Sequence, residues 1–265
     1  MEQDARSRLA SSFGAAAGAY AEHRPDYARA AVRWALEPSP GTRVLDLCAG
    51  TGTLVGLGVD VVAVEPDPAM LAELRRALPA VRALRGSAEA IPLPDASVDA
   101  VPAGNALHWF DLAAAGPEMA RVLAPGGVLA GLWNVLDDRV DRVAGLERVG
   151  PRDTLGRWRA ATAGLHLPDT GRAGPVAVTA RFGSPEQAEF PHEQRRTADS
   201  LVATLATPAG VLVLPEPERE AAVGRVRAFL ASRPETAVGD FTLPMLTGVL
   251  RVRRLGGQRS GTTEV

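Results

Sequence analysis

The sequence has a single cysteine, Cys48, among 265 residues, and aromatic residues make up 5% of the chain. One cysteine excludes an intrachain disulfide framework, which favours a reducing, cytoplasmic environment. No apolar stretch approaches the length that a bilayer requires, so a membrane partner is not expected. The 31 acidic and 29 basic residues are interspersed, so a polybasic surface for nucleic acid is not expected either.

Hydrophobic residues, 46% of the chain, are enough for one large domain with an elaborated insertion. In the first half, short apolar runs alternate with helical patterns, and the runs predict strands at 42–47, 60–65, 81–86, 97–104 and 126–134. Strands that are apolar on both faces and are separated by helices are typical of parallel sheets. The sequence therefore predicts a doubly wound α/β fold.

Outside these five strands the signals are helical or mixed. A helix is predicted over 67–79, with Asp67 as N-cap and Pro68 in the first turn. An N-terminal helical segment is predicted to break near Arg24. Two late strands, 188–198 and 240–255, would complete a mostly parallel seven-stranded sheet, and the segment SPEQ at 184–187 is typical of a helix cap.

A glycine-rich turn, VLDLCAGTG, follows the first predicted strand and contains Asp46, Gly50 and Gly52. Glycines in that place let the backbone approach a ligand closely. Glu65 ends the second predicted strand, so we expect it beside the turn, at the edge where open parallel sheets bind ligands. A carboxylate there can accept both hydroxyls of a ribose.

Two ligands suit this arrangement, a dinucleotide or S-adenosylmethionine. The dinucleotide fingerprint G-x-G-x-x-G matches poorly, because Gly50, Gly52 and Gly56 span one residue too many. Asp46 would face a pyrophosphate unfavourably, whereas it would suit the ammonium group of an amino-acid tail.

Five segments carry a more specific likeness: VLDLCAGTG, VVAVEPDPAML, GSAEAIPLPDASVDAV, NALHWFD and RVLAPGGVLAGLWN. In order and spacing they resemble the motifs of class I S-adenosylmethionine-dependent methyltransferases, of the ubiquinone/menaquinone-biosynthesis or trans-aconitate methyltransferase type. The likeness covers about residues 13–134. It implies a Rossmann-like methyltransferase fold, S-adenosylmethionine as cofactor, S-adenosylhomocysteine as product, and a small-molecule acceptor methylated on oxygen or carbon.

The resemblance also implies the residues of the site. The methionine part of the cofactor would be held by Asp46, Cys48, Ala49, Gly50 and Gly52. The ribose would be held by Glu65, and the adenine would lie near Pro66, Met70, Ser87, Ala88 and Glu89. The sulfonium and the acceptor would be faced by Asn105, Ala106 and His108. The cofactor would be covered by Tyr20 and Arg24.

The sequence patterns and the resemblance together predict four parts of the chain. These are an N-terminal helical cover at 1–36, a cofactor-binding core at 37–134, an insertion with the C-terminal completion of the sheet and acceptor-site elements at 135–255, and a disordered tail at 256–265. Within the core, His108 is the candidate general base, because a histidine can take a proton near neutral pH. Its alternative role is to shape the pocket without proton transfer. Since His23, His166 and His192 lack ligand spacing, no metal site is expected.

Three features depart from the family pattern. Cys48 stands where the family usually has glycine, which favours a small buried residue, with a reactive thiol as the alternative. The short segment 53–59 predicts a stunted helix and weaker cofactor binding. Pro102 inside the fourth strand predicts either a bulge or the end of the strand.

These departures keep other functions open. One alternative is a methyltransferase-like protein of a natural-product pathway that catalyses a non-methylating reaction or only binds ligand. A nicotinamide-dependent oxidoreductase is a further rival. The sequence predicts no particular oligomeric state.

Overall fold

The computed structural model describes residues 17–52, 54, 60–150, 181–207 and 209–256. Its strands are β1 (Arg43–Leu47), β2 (Asp60–Glu65), β3 (Arg82–Arg85), β4 (Val98–Gly104), β5 (Leu123–Leu136), β6 (Glu186–Arg196) and β7 (Phe241–Arg253). They form one seven-stranded sheet in the order β3-β2-β1-β4-β5-β7-β6. The pairs from β3 through β5 are parallel, and β7 runs antiparallel to both β5 and β6. The predicted doubly wound, mostly parallel fold is confirmed.

The helices are α1 (Ala17–His23), α2 (Arg29–Leu36), α3 (Pro68–Ala77), α4 (Leu112–Val122), α5 (Asp141–Val149), α6 (Ala198–Leu205), α7 (Ala209–Leu212), α8 (Glu216–Ala231) and α9 (Pro234–Ala237), with a 3₁₀ turn at Leu107–Trp109. Asp67 caps α3 as predicted, because its carboxylate accepts from the backbone N–H groups of Ala69 and Met70. Within the described ranges, none of these helices has the length and apolar character to cross a membrane.

The strand interiors form the centre of the molecule. Leu45, Leu47 and Val101 are fully buried in one cluster with residues of α4. Burial on both faces accounts for the nearly continuous apolar runs that predicted these strands, since helices cover both sides of the sheet.

At the amino end of the strands, a salt bridge joins β1 to β4. Asp99 Oδ2 accepts from the backbone N–H and the Nε of Arg43, both at 3.0 Å, and Oδ1 accepts from a terminal nitrogen at 2.7 Å. The guanidinium beside Asp99 holds the pKa of that carboxyl below its usual value. Both carboxylate oxygens are therefore used to hold the two strands together at this edge.

Two local predictions were wrong. Pro102 neither ends β4 nor forms a bulge in it. The strand continues through Pro102 to Gly104, and its register shift lies between Val98 and Ala100. The segment at 184–187 does not cap a helix, because β6 begins at Glu186 and pairs with β7. In that case the long-range hydrogen bonds of the sheet outweigh a local capping signal.

Several other predictions fall beyond what the structure describes. Most of the segment predicted as a stunted helix, 53–59, lies outside the described residues. Its Leu54 is described and packs in a buried cluster with Ala31 and Val32 of α2. Residues 151–180 of the predicted insertion and 257–265 of the predicted tail also lie outside them, so the proposed division of the chain stays a prediction.

Candidate active site

The strand order places the candidate site. It reverses between β1 and β4, since the chain runs outward from β1 through β2 to β3 and then returns to β4. In an open α/β sheet, ligands bind outside the carboxyl ends of the strands at such a switch point. The loops that follow β1 to β4 carry nearly all the residues that the sequence analysis singled out.

Asp46 lies near the end of β1, at the carboxyl edge of the sheet, and its carboxyl group is buried with a raised pKa. The residue is 2% exposed, and its Oδ2 has no hydrogen-bond partner among the residues that the structure describes. Burial, and secondarily the charge of Glu65, raises the pKa of Asp46 to about 7. A buried oxygen without a partner is costly, so this carboxyl group is suited to receive a cationic group from a ligand.

Glu65, at the end of β2, is held against the turn. Its Oε2 accepts from the backbone N–H of Gly50 at 2.8 Å, and its Oε1 accepts from that of Asp67 at 2.9 Å. Burial raises the pKa of Glu65, and the two backbone hydrogen bonds oppose that rise. Because each carboxylate oxygen has two acceptor sites, both can still accept from ligand hydroxyls.

The backbone of the turn explains its glycines. Gly50 and Gly52 have φ angles of 56° and 92°, in the left-handed region that favours glycine. The N–H groups of Ala49, Gly50 and Gly52 already donate to acceptors within the protein. These amides do not form the anion-binding nest that a pyrophosphate requires, which argues against the dinucleotide alternative.

Cys48 shares this backbone conformation, with φ of 54°. The family's glycine at this position is therefore understandable, since a side chain is strained there. The thiol packs against the main buried cluster. Burial raises its pKa, and the carboxylates of Glu65, Glu89 and Asp46 raise it further. A neutral thiol is favoured, which argues against a reactive cysteine.

The loop after β3 forms a tight turn in which Ser87 and Ala90 are paired through their backbones. Ala88 is buried in this turn, while Glu89 is exposed and accepts from the backbone N–H of Asp111 at 3.1 Å. Arg121 of α4 donates to carbonyl oxygens farther along the same loop. The loops after β3 and β4 are thus tied together.

The loop after β4 carries Asn105, Ala106 and His108. Asn105 has φ of 49°, and its Oδ1 accepts from the backbone N–H of Asn134 at 3.3 Å. His108 lies in the 3₁₀ turn with an exposed side chain, and its Nδ1 accepts from the indole N–H of Trp133 at 3.3 Å. The ring of Trp109 lies 4.8 Å from that of His108 between centroids.

The N-terminal elements extend over this edge of the sheet. α1 packs against both α3 and α6. Arg24 lies in the connection between α1 and α2. Tyr20 belongs to α1, but its side chain is not among those the structure describes. The expectation that Tyr20 closes over a cofactor therefore stays a prediction.

Side chains from three strands hold that connection in place, and we call Asn134 of β5, Thr247 of β7 and His192 of β6 the anchoring network. Asn134 Nδ2 donates to the carbonyl oxygens of residues 25 and 26, at 3.1 and 2.8 Å. Thr247 Oγ1 accepts from the backbone N–H of Ala28 at 3.0 Å and donates to Asn134 Oδ1 at 2.6 Å. Nε2 of His192 lies 3.2 Å from the same hydroxyl.

Sequence reasoning missed the anchoring network and one further residue, Tyr27. The hydroxyl of Tyr27 would lie 2.6 Å from a Cβ atom at Gly104, so the phenol rests directly on the carboxyl end of β4. No local pattern indicated these contacts, because the paired residues lie more than 50 positions apart in the chain. The only sequence signal for this region was the predicted helix break at Arg24-Pro25, which marks the connection that the anchoring network holds.

The site fits the cofactor that the resemblance implies. Asp46 Oδ2, which has no partner in the part of the chain that the structure describes, suits an ammonium group, and the Glu65 carboxylate suits a ribose. The left-handed glycines leave close access to the backbone. Among the described residues, no group of three or more His, Cys, Asp and Glu side chains is placed to hold a metal ion.

Comparisons with known proteins show the family and the fold. Residues 45–131 match a family model described as a methyltransferase domain. The chain is 39% identical over 251 residues to an uncharacterized methyltransferase of Mycobacterium tuberculosis, covering 93% of this chain and 97% of that protein. It is 45% identical over 100 residues to a demethylmenaquinone methyltransferase of Beutenbergia cavernae, covering 36% of this chain and 42% of that protein.

A solved structure shows the same fold over almost the whole chain. It is that of a candidate type II methyltransferase from Anaeromyxobacter dehalogenans. The two structures superpose with a TM-score of 0.60 at 26% identity, covering 87% of this chain and 97% of that one.

Proposed function

Because the chain belongs to the class I S-adenosylmethionine-dependent methyltransferases, we propose that it transfers a methyl group to an oxygen or carbon atom of a small molecule. Its cofactor is S-adenosylmethionine, which supplies an electrophilic methyl group on a sulfonium and leaves as S-adenosylhomocysteine. The protein's own contribution is to bind, to orient the acceptor and to exclude water.

One observation supports the cofactor's orientation more than any other: Asp46 lies near the end of β1, Glu65 ends the adjacent β2, and Asp46 Oδ2 is buried with no partner among the described residues. We infer that Asp46 receives the ammonium group of the methionine part and that Glu65 receives the ribose hydroxyls. The turn at Gly50 and Gly52 then lies against the methionine part, and Met70 and Ala88 lie toward the adenine. This orientation directs the methyl group toward the end of β4.

The acceptor is proposed to lie beside the loop after β4, near Asn105 and His108. Two features favour a small acceptor over a polymer. The connection between α1 and α2 is anchored by Asn134, and Tyr27 lies against the carboxyl end of β4, which leaves less room for a polymer at this edge. The nearly balanced charge also provides no extended basic surface for a polyanion.

Binding of S-adenosylhomocysteine, measured by calorimetry, tests the site. Glu65→Ala is expected to lower the affinity about 10–100-fold, since a carboxylate that accepts two hydroxyls is removed. The matched control is Asp60→Ala at the other end of the same strand, where the exposed carboxylate lies away from the proposed site. Equal affinities for Glu65→Ala and the wild type would show that the ribose is bound elsewhere.

Turnover is tested separately with S-adenosylmethionine and three acceptors: benzoate, 4-nitrophenol and acetylacetone. These offer a carboxylate, a phenolate and an enolate, and released S-adenosylhomocysteine is measured by chromatography. Release above the acceptor-free rate with any of them supports methyl transfer. Tight cofactor binding without release would favour the non-methylating alternative and would call for a wider acceptor set.

A further inference from the structure

We propose that Trp133 holds His108 in the tautomer that carries its proton on Nε2, so that the imidazole donates a hydrogen bond to the methyl acceptor instead of removing its proton. The proposal rests on the proposed function, since it concerns the acceptor side of the same site. It assigns Trp133 as a positioning residue and replaces the role of general base predicted for His108.

The bond between the two side chains determines the tautomer. The indole N–H of Trp133 points to Nδ1 of His108 at 3.3 Å. Because an indole nitrogen can only donate, Nδ1 must accept with its lone pair. A neutral imidazole has one N–H, which is then on Nε2.

Both partners are held firmly. Trp133 is 2% exposed on β5, and a Cβ atom at Gly131 would lie 2.4 Å from its ring, so the indole packs against bare backbone. The 3₁₀ turn that carries His108 is closed by backbone hydrogen bonds at Trp109 and Phe110. A ring flip of His108 would break the indole hydrogen bond and disturb the packing with Trp109.

The tautomer has a consequence for the acceptor. Proton removal by Nδ1 would require the loss of the bond from a buried indole, whereas Nε2 already carries a proton. His108 therefore suits an acceptor that binds already ionised, as a carboxylate, phenolate or enolate. The lone pair of that anion forms the new bond to the methyl carbon, the electron pair of the broken carbon–sulfur bond stays on sulfur, and the Nε2 proton stays on His108.

Nitrogen-15 NMR of the imidazole rings tests the tautomer directly. The chain has four histidines, and the His108 signals are identified by their absence from the spectrum of His108→Gln. We expect the Nε2–H pattern in the wild type, both free and saturated with S-adenosylhomocysteine. Trp133→Phe should convert it to a mixture of tautomers, whereas Trp109→Phe should leave it unchanged.

Benzoate, with benzyl alcohol as the neutral control, tests the donor role in the protein saturated with S-adenosylhomocysteine. Millimolar benzoate is expected to shift the Nε2-bound proton of His108. Its affinity should fall about tenfold in His108→Ala and remain near that of the wild type in His108→Gln, whose amide can still donate.

Several outcomes would overturn the proposal: an Nδ1–H tautomer in the wild type, an unchanged tautomer in a folded Trp133→Phe, or an Nε2–H signal that benzoate does not move. If Trp133→Phe fails to fold, the wild-type spectrum still decides the tautomer. Loss of S-adenosylhomocysteine binding would instead contradict the proposed function, because the tautomer is also measured without it.

Discussion

Asp46 and Asp99 are two aspartates of the same sheet, on adjacent strands, and both are less than 7% exposed. Asp99 lies at the amino edge, where Arg43 and a backbone N–H use both of its oxygens and its pKa is lowered. Asp46 lies at the carboxyl edge, where Oδ2 has no partner within the described part of the chain and burial raises the pKa to about 7. The same side chain stabilises the fold at one edge, whereas at the other its ionised form destabilises it.

The comparison of Asp46 with Asp99 separates buried carboxylates that stabilise the fold from buried carboxylates that are suited to bind a ligand. A carboxylate that is fully bonded within the protein can be explained by stability alone. A buried carboxyl group without such bonds lowers stability at neutral pH, and a cation that pairs with it would offset that cost. Exchanging each aspartate for a neutral residue should therefore change stability in opposite directions.

Asp46→Asn is expected to have the largest effect. Affinity for S-adenosylhomocysteine should fall about 10–100-fold, since a charge-assisted hydrogen bond to the ammonium group is lost. At pH 8 the free variant should be more stable than the wild type by roughly 1–3 kcal/mol. The ionised Asp46 costs up to about 4 kcal/mol with its pKa at about 7, and burial of the new amide offsets part of the gain.

The pH dependence of that gain provides the control. Because the pKa of Asp46 is raised on folding, its destabilising effect grows between its ordinary value of 3.8 and about 7. Urea unfolding at pH 5 and pH 8 should therefore show the advantage of Asp46→Asn mainly at pH 8. A variant that is less stable than the wild type at both pH values would mean that Oδ2 has a partner after all.

Thr247→Val tests the case opposite to Asp46. At the same carboxyl edge, the buried polar groups of the anchoring network have hydrogen-bond partners. The change keeps the shape of the side chain but leaves the Ala28 N–H and Asn134 Oδ1 without this partner. We expect a loss of about 2 kcal/mol in the free energy of unfolding. Affinity for S-adenosylhomocysteine should fall a few-fold, since the cover is held less firmly.

The matched control is Thr242→Val, a half-buried threonine of the same strand. It should cost clearly less stability and leave the affinity unchanged. Equal effects of the two variants would show that threonine in β7, rather than the anchoring network, is responsible.

The position of Glu65 could be predicted from sequence because it follows directly from a short apolar run and the edge rule for parallel sheets. Asp67 could be predicted as a cap because the signal is local. The contacts of Asn134 with residues 25 and 26 could not be predicted, since they span more than 100 positions. The bond from Trp133 to His108 spans 25 positions and was missed because it joins a strand interior to a turn after a different strand, a contact that no local pattern indicates; it changes the chemistry expected of the histidine.

Asp99→Ala tests the amino edge. The backbone N–H of Arg43 loses its acceptor, which should cost about 1–2 kcal/mol of stability at pH 7. Because the pKa of Asp99 is lowered, its contribution is present above its ordinary value of 3.8 and is lost as the pH falls through its folded value. Cofactor affinity should stay within about twofold of the wild type, and a larger change would remove the distinction between the two edges.

Cofactor binding itself should depend on pH through Asp46. Below about pH 7 the free protein holds a proton on this carboxyl group, and an ammonium group favours the ionised form, so binding must release that proton. Affinity for S-adenosylhomocysteine should therefore fall by up to about tenfold per pH unit between pH 7 and pH 5. Calorimetry at pH 6 in two buffers of different ionisation enthalpy should detect the released proton in the wild type and none in Asp46→Asn.

Cys48→Gly should have the smallest effect on stability. This variant tests whether the backbone of the turn beside Asp46 is strained. A side chain at φ of 54° costs about 1–2 kcal/mol, while glycine adds about 0.5–1 kcal/mol of entropy to the unfolded chain. The expected net gain in stability is about 0.5 kcal/mol by urea unfolding. Cys48→Ala keeps the strain but removes the sulfur, so it should be less stable than Cys48→Gly. The reverse order would show that packing of the thiol contributes more to stability at position 48 than backbone strain removes. Of the two residues, only Asp46 would then destabilise the carboxyl edge.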